Sequence, residues 1–110
     1  TASNEKLLAK IQPKICVVSC VAGNKEYASD LSHTFPAQEF IDRIAKYTDK
    51  VYVTTLGSSD NVSDHWDMNG NVVVSSDKDG VTVSCSNNNT LLKDTAWFTA
   101  NRTMPLEWAA

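Results

Sequence analysis

The feature that most constrains this fold is an apolar strand, an amphipathic helix and a second apolar strand in direct succession. The runs KICVVSC and KVYVTTL are apolar and β-branched, which is typical of buried strands. Between them, apolar side chains recur at helical spacing: Ala37, Phe40, Ile41, Ile44 and Ala45. Two strands joined by one helix form a crossover unit, so we predict that they are parallel and adjacent.

A short helix precedes the first strand, and a β-hairpin follows the second. Ser3 or Asn4 can cap a helix whose apolar side chains share one face: Leu7, Leu8 and Ile11. The central helix is predicted from Pro36 to about Tyr47. The strings NVVVSS and VTVSCS flank DKDG, whose Asp-Gly pair is a strong hairpin signal. The sequence thus predicts an α/β chain, ordered α-β-α-β and then a β-hairpin, with a mixed sheet.

The core is expected to come from these elements and from aromatic residues near the end of the chain. Trp97, Phe98 and Trp108 lie in a stretch with neither helical nor strand periodicity, and we expect this stretch to lay its aromatics on the core. The other predicted core residues are Leu7, Leu8, Ile11, Ile15, Val17, Phe40, Ile41, Ile44, Val51, Val53, Val73 and Val83.

Length and charge limit the class of protein. With 110 residues the chain suffices for one small domain, so residues 1–110 form a single domain or a domain fragment. The formal net charge is -3, whereas a nucleic-acid binder that works by basic surface carries the opposite sign. No apolar run is long enough for a membrane segment. Because the first residue is Thr1 rather than Met, we expect a processed chain or a piece of a longer polypeptide.

The residues alone give little support for a metal or nucleophilic site. The two histidines, His33 and His65, belong to no H-x-H or H-E-x-x-H arrangement. Asp64, His65 and Asp67 look like a ligand cluster, but neighbouring side chains diverge in an extended stretch, which favours a solvated loop. The three cysteines cannot form a complete disulfide framework, and buried free thiols are the simpler interpretation. Taken alone, the sequence contains no complete active site.

Several strings between Ser3 and Ser86 follow one another in the order found in a known family. They are SNEKLLAKIQPKICVVSC, GNKEY, PAQEFIDRI, KVYVTT, DMNGNVVVSSDKDG and VTVS. In this order they resemble the C-terminal part of the metallo-β-lactamase-like hydrolase domain of ComEC competence proteins and their soluble relatives. The resemblance implies the C-terminal half of a metallo-β-lactamase fold.

The resemblance also implies a function for the intact protein. That function is metal-dependent hydrolysis by a phosphodiesterase or nuclease that uses Zn²⁺, at an extracytoplasmic location. The metal-binding strings of the family lie upstream of the matching region, so no zinc is expected in this chain alone. The implied partner is the missing N-terminal half of the domain. A homodimer could instead cover the face that this half leaves exposed. Nucleic acid would bind only through the intact active site.

His33 is the one candidate catalytic residue. Relatives carry a His-Pro at the start of the central helix, whereas here Phe35 precedes Pro36 and His33 lies two positions earlier. At that place a histidine could orient a phosphate or a bound water. A surface histidine ahead of a helix is the alternative. For the whole chain, the alternative function is a small non-catalytic α/β binding or interaction domain.

Overall fold

The computed structural model describes three stretches of the chain: residues 4–24, 34–57 and 65–109. Its first four elements alternate helix and strand, in this order: α1 (Glu5–Ile11), β1 (Cys16–Ala22), α2 (Gln38–Ile44) and β2 (Val51–Gly57). β1 and β2 pair in parallel, with Val18 opposite Val53. Asn4 caps α1, since its Oδ1 accepts a hydrogen bond of 2.9 Å from the Leu7 N–H. The predicted crossover unit is therefore confirmed.

The strands belong to two separate sheets, one of three strands and one of two. The later strands are β3 (His65–Asp67), β4 (Val72–Asp77) and β5 (Gly80–Cys85). β3 runs antiparallel to β2, so the three-stranded sheet is mixed, but its antiparallel strand is β3 and not the hairpin from which the sequence predicts it. β4 and β5 form the predicted hairpin as a sheet of their own, with Lys78 and Asp79 at the turn.

Strand β3 corrects one interpretation of the sequence. The polar composition around His65 predicts a loop, but residues 65–67 pair with residues 55–57 of β2. This part of the loop prediction is wrong because the strand depends on a partner distant in sequence, which local composition does not reveal.

Helix α2 is shorter than predicted, although its apolar stripe packs as expected. It begins at Gln38 rather than Pro36, because Ala37 at the N-cap is extended, with φ -69° and ψ 154°. The helix ends at Ile44, and the chain continues as a turn over residues 45–47. Ile41 and Ile44 are both fully buried.

A single apolar cluster forms the core of the described residues. Its buried members are Leu8, Ala22, Ile41, Ile44, Ala45, Val51, Val53, Leu56, Met68, Leu92, Phe98 and Trp108. Four predicted core residues are instead exposed: Leu7, Ile11, Val17 and Val73. Ile15, Phe40 and Val83 are half-buried. The exposed residues lie on the outer side of α1, on the outer strand β1 and on the hairpin, where the described residues provide too little cover.

The C-terminal segment closes the core with aromatic side chains, as predicted. Its elements are a 3₁₀ turn (Leu92–Asp94) and two short helices, α3 (Ala96–Asn101) and α4 (Leu106–Ala109). The ring centroids of Phe98 and Trp108 lie 5.7 Å apart, and the Trp108 indole N–H donates to the Thr48 carbonyl at 2.9 Å. Within the described stretches, every helix is too short to cross a membrane.

Replacing Ile44 by valine is expected to lower the free energy of unfolding by about 0.5–1.5 kcal/mol, because a buried methylene is lost. Ile44 is 1% exposed and lies at the centre of the α2 stripe. Ile11→Val is the matched control, since Ile11 is 60% exposed on α1. Urea unfolding of both variants should show a loss at Ile44 alone. Equal losses at the two positions would contradict the packing of α2 on the sheet.

Candidate functional site

The predicted catalytic residue, His33, lies outside the described residues, but the segment that follows it is well defined. We call residues 34–36 the junction, because they lead from His33 into α2. Thr34 and Pro36 are buried, whereas Phe35 between them is 69% exposed. The backbone that leaves His33 is therefore held inside the fold while one aromatic side chain faces outward.

Arg102, at the end of α3, holds the junction through its backbone. Its Nε donates to the Pro36 carbonyl at 3.0 Å, and one terminal nitrogen donates to the Thr34 carbonyl at 2.8 Å and to the Thr34 hydroxyl at 3.2 Å. The guanidinium also lies 4.7 Å from the centroid of the Trp97 ring. Burial lowers the pKa of Arg102 and the nearby Glu39 carboxylate opposes this, but a guanidinium stays charged in proteins. The junction is thus fixed by charge-assisted hydrogen bonds.

Gly23 fixes the junction from the β1 side. Its N–H donates to the Phe35 carbonyl at 2.9 Å, and its backbone has φ +80°, a conformation that favours glycine. A Cβ at this position would overlap the indole nitrogen of Trp97 and come within 3.0 Å of the indole Cε2. The backbone here approaches Trp97 so closely that only glycine fits. We call Gly23, Trp97 and Arg102 together the junction clamp.

The residues of the junction clamp give little sign of their role in the sequence. Gly23 carries a weak local signal, because a glycine just after a strand often marks a turn or a close approach of the backbone. Arg102 carries no such signal, since an arginine near a helix end resembles any surface charge. Its role depends on contacts with residues far away in sequence.

A groove of about 750 Å³ runs between strand β1 and helix α2, next to the junction. Four consecutive strand residues line it: Cys16, Val17, Val18 and Ser19. Because successive strand residues point to opposite faces, a groove that touches all four follows the edge of the strand. The other wall includes Phe35, the half-buried Phe40 and two charged residues of α2, Glu39 and Arg43. The groove is therefore largely apolar with one charged side.

The cysteine thiols do not provide a reactive group. All three are free, as predicted, and they are half-buried rather than fully buried. Burial raises the pKa of Cys16, which lines the groove, and raises that of Cys20 to about 11. Burial also raises the pKa of Cys85. The thiols therefore stay protonated near neutral pH, in a form that is a poor nucleophile and a poor metal ligand.

The described part of the chain does not assemble a metal site. Residues 4–24, 34–57 and 65–109 contain no group of three His, Cys, Asp or Glu side chains that could hold an ion. His33 and Asp64 lie outside these stretches, and the backbone of His65 and Asp67 forms β3. The zinc implied by the resemblance does not fit the described residues, so its ligands would have to come from elsewhere.

Together, the fold and the groove define a small α/β domain with a parallel strand pair and a separate antiparallel hairpin. No protein-family model, curated protein or solved structure matches this chain. The relation to metallo-β-lactamase-like hydrolases therefore stays a hypothesis that depends on the ordered strings of the sequence.

Proposed function

We propose that this chain is the C-terminal part of a metallo-β-lactamase-like hydrolase, a phosphodiesterase or nuclease in the intact protein. The observation that carries the proposal is the ordered set of strings from Ser3 to Ser86. It is supported by the element order of the described residues, which is helix, strand, helix, strand and later a hairpin. This is the order that the resemblance implies.

The uncovered hairpin gives a second line of support. Val73, Val74 and Val81 are each more than half exposed on β4 and β5. Val74 and Val81 lie on one face of the hairpin and Val73 on the other, because successive strand residues alternate between faces. A two-stranded hairpin is marginally stable by itself, and exposed apolar side chains on its faces are typical of a surface that a partner covers. An N-terminal half of the hydrolase domain would cover this surface and would bring the metal ligands that the described residues lack.

The contribution of this chain to catalysis would be positional. The junction clamp holds Thr34, which is the residue directly after His33. The backbone on the C-terminal side of His33 is therefore fixed. From there His33 would orient a phosphate or a water molecule in the intact site. When bound in the intact protein, zinc would supply the activated water for attack on a phosphoryl or acyl centre.

The proposal is tested by reading the coding sequence upstream of Thr1 and by assaying the longer polypeptide. We expect His-x-His-x-Asp-His and His-His-Gly-Ser strings upstream. We also expect hydrolysis of bis(p-nitrophenyl) phosphate that a chelator abolishes and Zn²⁺ restores. An upstream sequence without His/Asp-rich strings would overturn the proposal.

A non-catalytic α/β interaction domain is the second candidate, and the apolar groove along β1 favours it. It differs from the first in two expected results, which are an upstream sequence without metal strings and no metal-dependent hydrolysis.

A further inference from the structure

Among the described residues, the outer edge of β1 has no strand partner. β1 stands at the end of the strand order β1-β2-β3, and in the described stretches no strand pairs with its outer side. Its sequence, CVVSCVA, contains no charged residue and no proline, two of the devices by which proteins protect sheet edges. Its pairing with β2 shifts register between Val18 and Val21, so the regular part of the edge is Cys16 to Val18. A seven-residue edge of this kind is a template for pairing with another strand.

Apolar side chains border the same edge. Phe35 is 69% exposed and Val17 is 41% exposed, and both line the groove between β1 and α2. A strand added to this edge would cover Val17 and the mouth of the groove. It would also give Phe35 an apolar surface to contact, which removes its side chain from water.

The charges beside the groove are self-complementary. Glu39 lies in the first turn of α2 and Arg43 in the last turn. A two-fold axis through the β1 edge reverses the neighbouring helix, so Glu39 of one copy would face the partner's Arg43, and the reverse. Glu39 also lies near Arg102 of its own chain. Because a guanidinium has five N–H donors, Arg43 can bind a partner carboxylate in addition to its contacts within the chain.

We propose that this chain forms a two-fold dimer through β1. The two β1 strands pair antiparallel and join two three-stranded sheets into one continuous sheet. The interface is isologous, because the same edge, groove and charges serve both copies. The matching of Glu39 with Arg43 under a two-fold axis selects a second copy over an unrelated peptide. This inference goes beyond the proposed function and does not depend on it.

The first test is sedimentation velocity of the 110-residue chain over roughly 1–500 µM, the range in which weak dimers dissociate. We expect the wild type to approach the mass of two copies. Val17→Lys should weaken dimerisation about 100-fold or more, because it places a charge in the paired edge. Leu7→Lys on α1 is the matched control, since Leu7 is 43% exposed, close to the 41% of Val17, and does not line the groove. Its dissociation constant should equal that of the wild type.

The second test uses charge reversal, and it includes a recovery of dimerisation as well as a loss. Glu39→Arg and Arg43→Glu should each be monomeric, because like charges then meet across the axis. An equimolar mixture should recover a heterodimer, which also shows that both variants are folded. The proposal is overturned by a wild type that stays monomeric throughout, by equal weakening in Val17→Lys and Leu7→Lys, or by a mixture that does not associate.

Discussion

Replacing Asn69 by alanine is expected to lower the free energy of unfolding by about 3–5 kcal/mol. Asn69 follows β3 and is fully buried. Its backbone N–H donates to the Val53 carbonyl at 3.1 Å, and its side-chain Oδ1 accepts from the Val53 N–H at 2.8 Å. The side chain therefore supplies the acceptor that a neighbouring strand would otherwise give to β2.

The amide nitrogen of the Asn69 side chain binds the segment after the hairpin. Its Nδ2 donates to the Thr90 carbonyl at 2.8 Å and to the Asn88 carbonyl at 3.1 Å. Alanine would leave the buried Val53 N–H and these carbonyls without this partner, and each unsatisfied buried group costs about 1–3 kcal/mol. Asn69→Asp should be at least as damaging, because a carboxylate has no N–H donors and its charge would be buried.

Urea unfolding followed by tryptophan fluorescence measures this loss. Asn71→Ala is the matched control, because Asn71 is exposed and its described hydrogen bonds use the backbone. The control should change the free energy of unfolding by no more than about 0.5 kcal/mol. A loss at Asn69 as small as that at Asn71 would contradict the structural role of the buried amide.

Replacing Gly23 by alanine is the second large effect, with an expected loss of about 2–5 kcal/mol in the free energy of unfolding. The positive φ disfavours a residue with a Cβ by about 1–2 kcal/mol. Overlap with the Trp97 indole adds about 1–3 kcal/mol. The same change should loosen the junction, because the shift that relieves this overlap moves the backbone N–H of residue 23, which donates to the Phe35 carbonyl.

Gly80→Ala separates the two causes. Gly80 also has a positive φ, +127°, but a Cβ there meets nothing within 4 Å. Thermal or urea unfolding should therefore show a larger loss at Gly23 than at Gly80. Adding Trp97→Leu to Gly23→Ala should recover part of the difference. Equal losses at the two glycines, or no recovery, would argue against close packing of Trp97 on Gly23.

The parts of the fold that could be predicted from the sequence are those encoded locally. β1, β2 and the hairpin appear as apolar runs with turn residues, and Ile41 and Ile44 follow from helical spacing. Leu7 and Ile11 share that spacing but are exposed, because periodicity marks a face of a helix and not the size of the surface that covers it. β3 could not be predicted, since three residues become a strand only through pairing with β2.

Less of the candidate site could be predicted. The position of His33 in the sequence points to the segment before α2, but the fixed geometry of that segment depends on Gly23 and Arg102. These two residues meet the junction only after the chain has folded, and nothing in the local sequence links them. Asn69 likewise resembles a turn residue in a polar stretch until its burial is known.

The catalytic role proposed for His33 is tested most directly by kcat/KM of the intact protein for a phosphodiester. We predict that His33→Ala lowers kcat/KM by about 10²–10⁴-fold, the range for an acid–base or orienting histidine. Its free energy of unfolding should change little, because His33 stands in a polar run of the sequence and not in an apolar stripe. His65→Ala is the control and should keep wild-type activity. Wild-type activity in His33→Ala, or a larger loss in His65→Ala, would contradict the role proposed for His33.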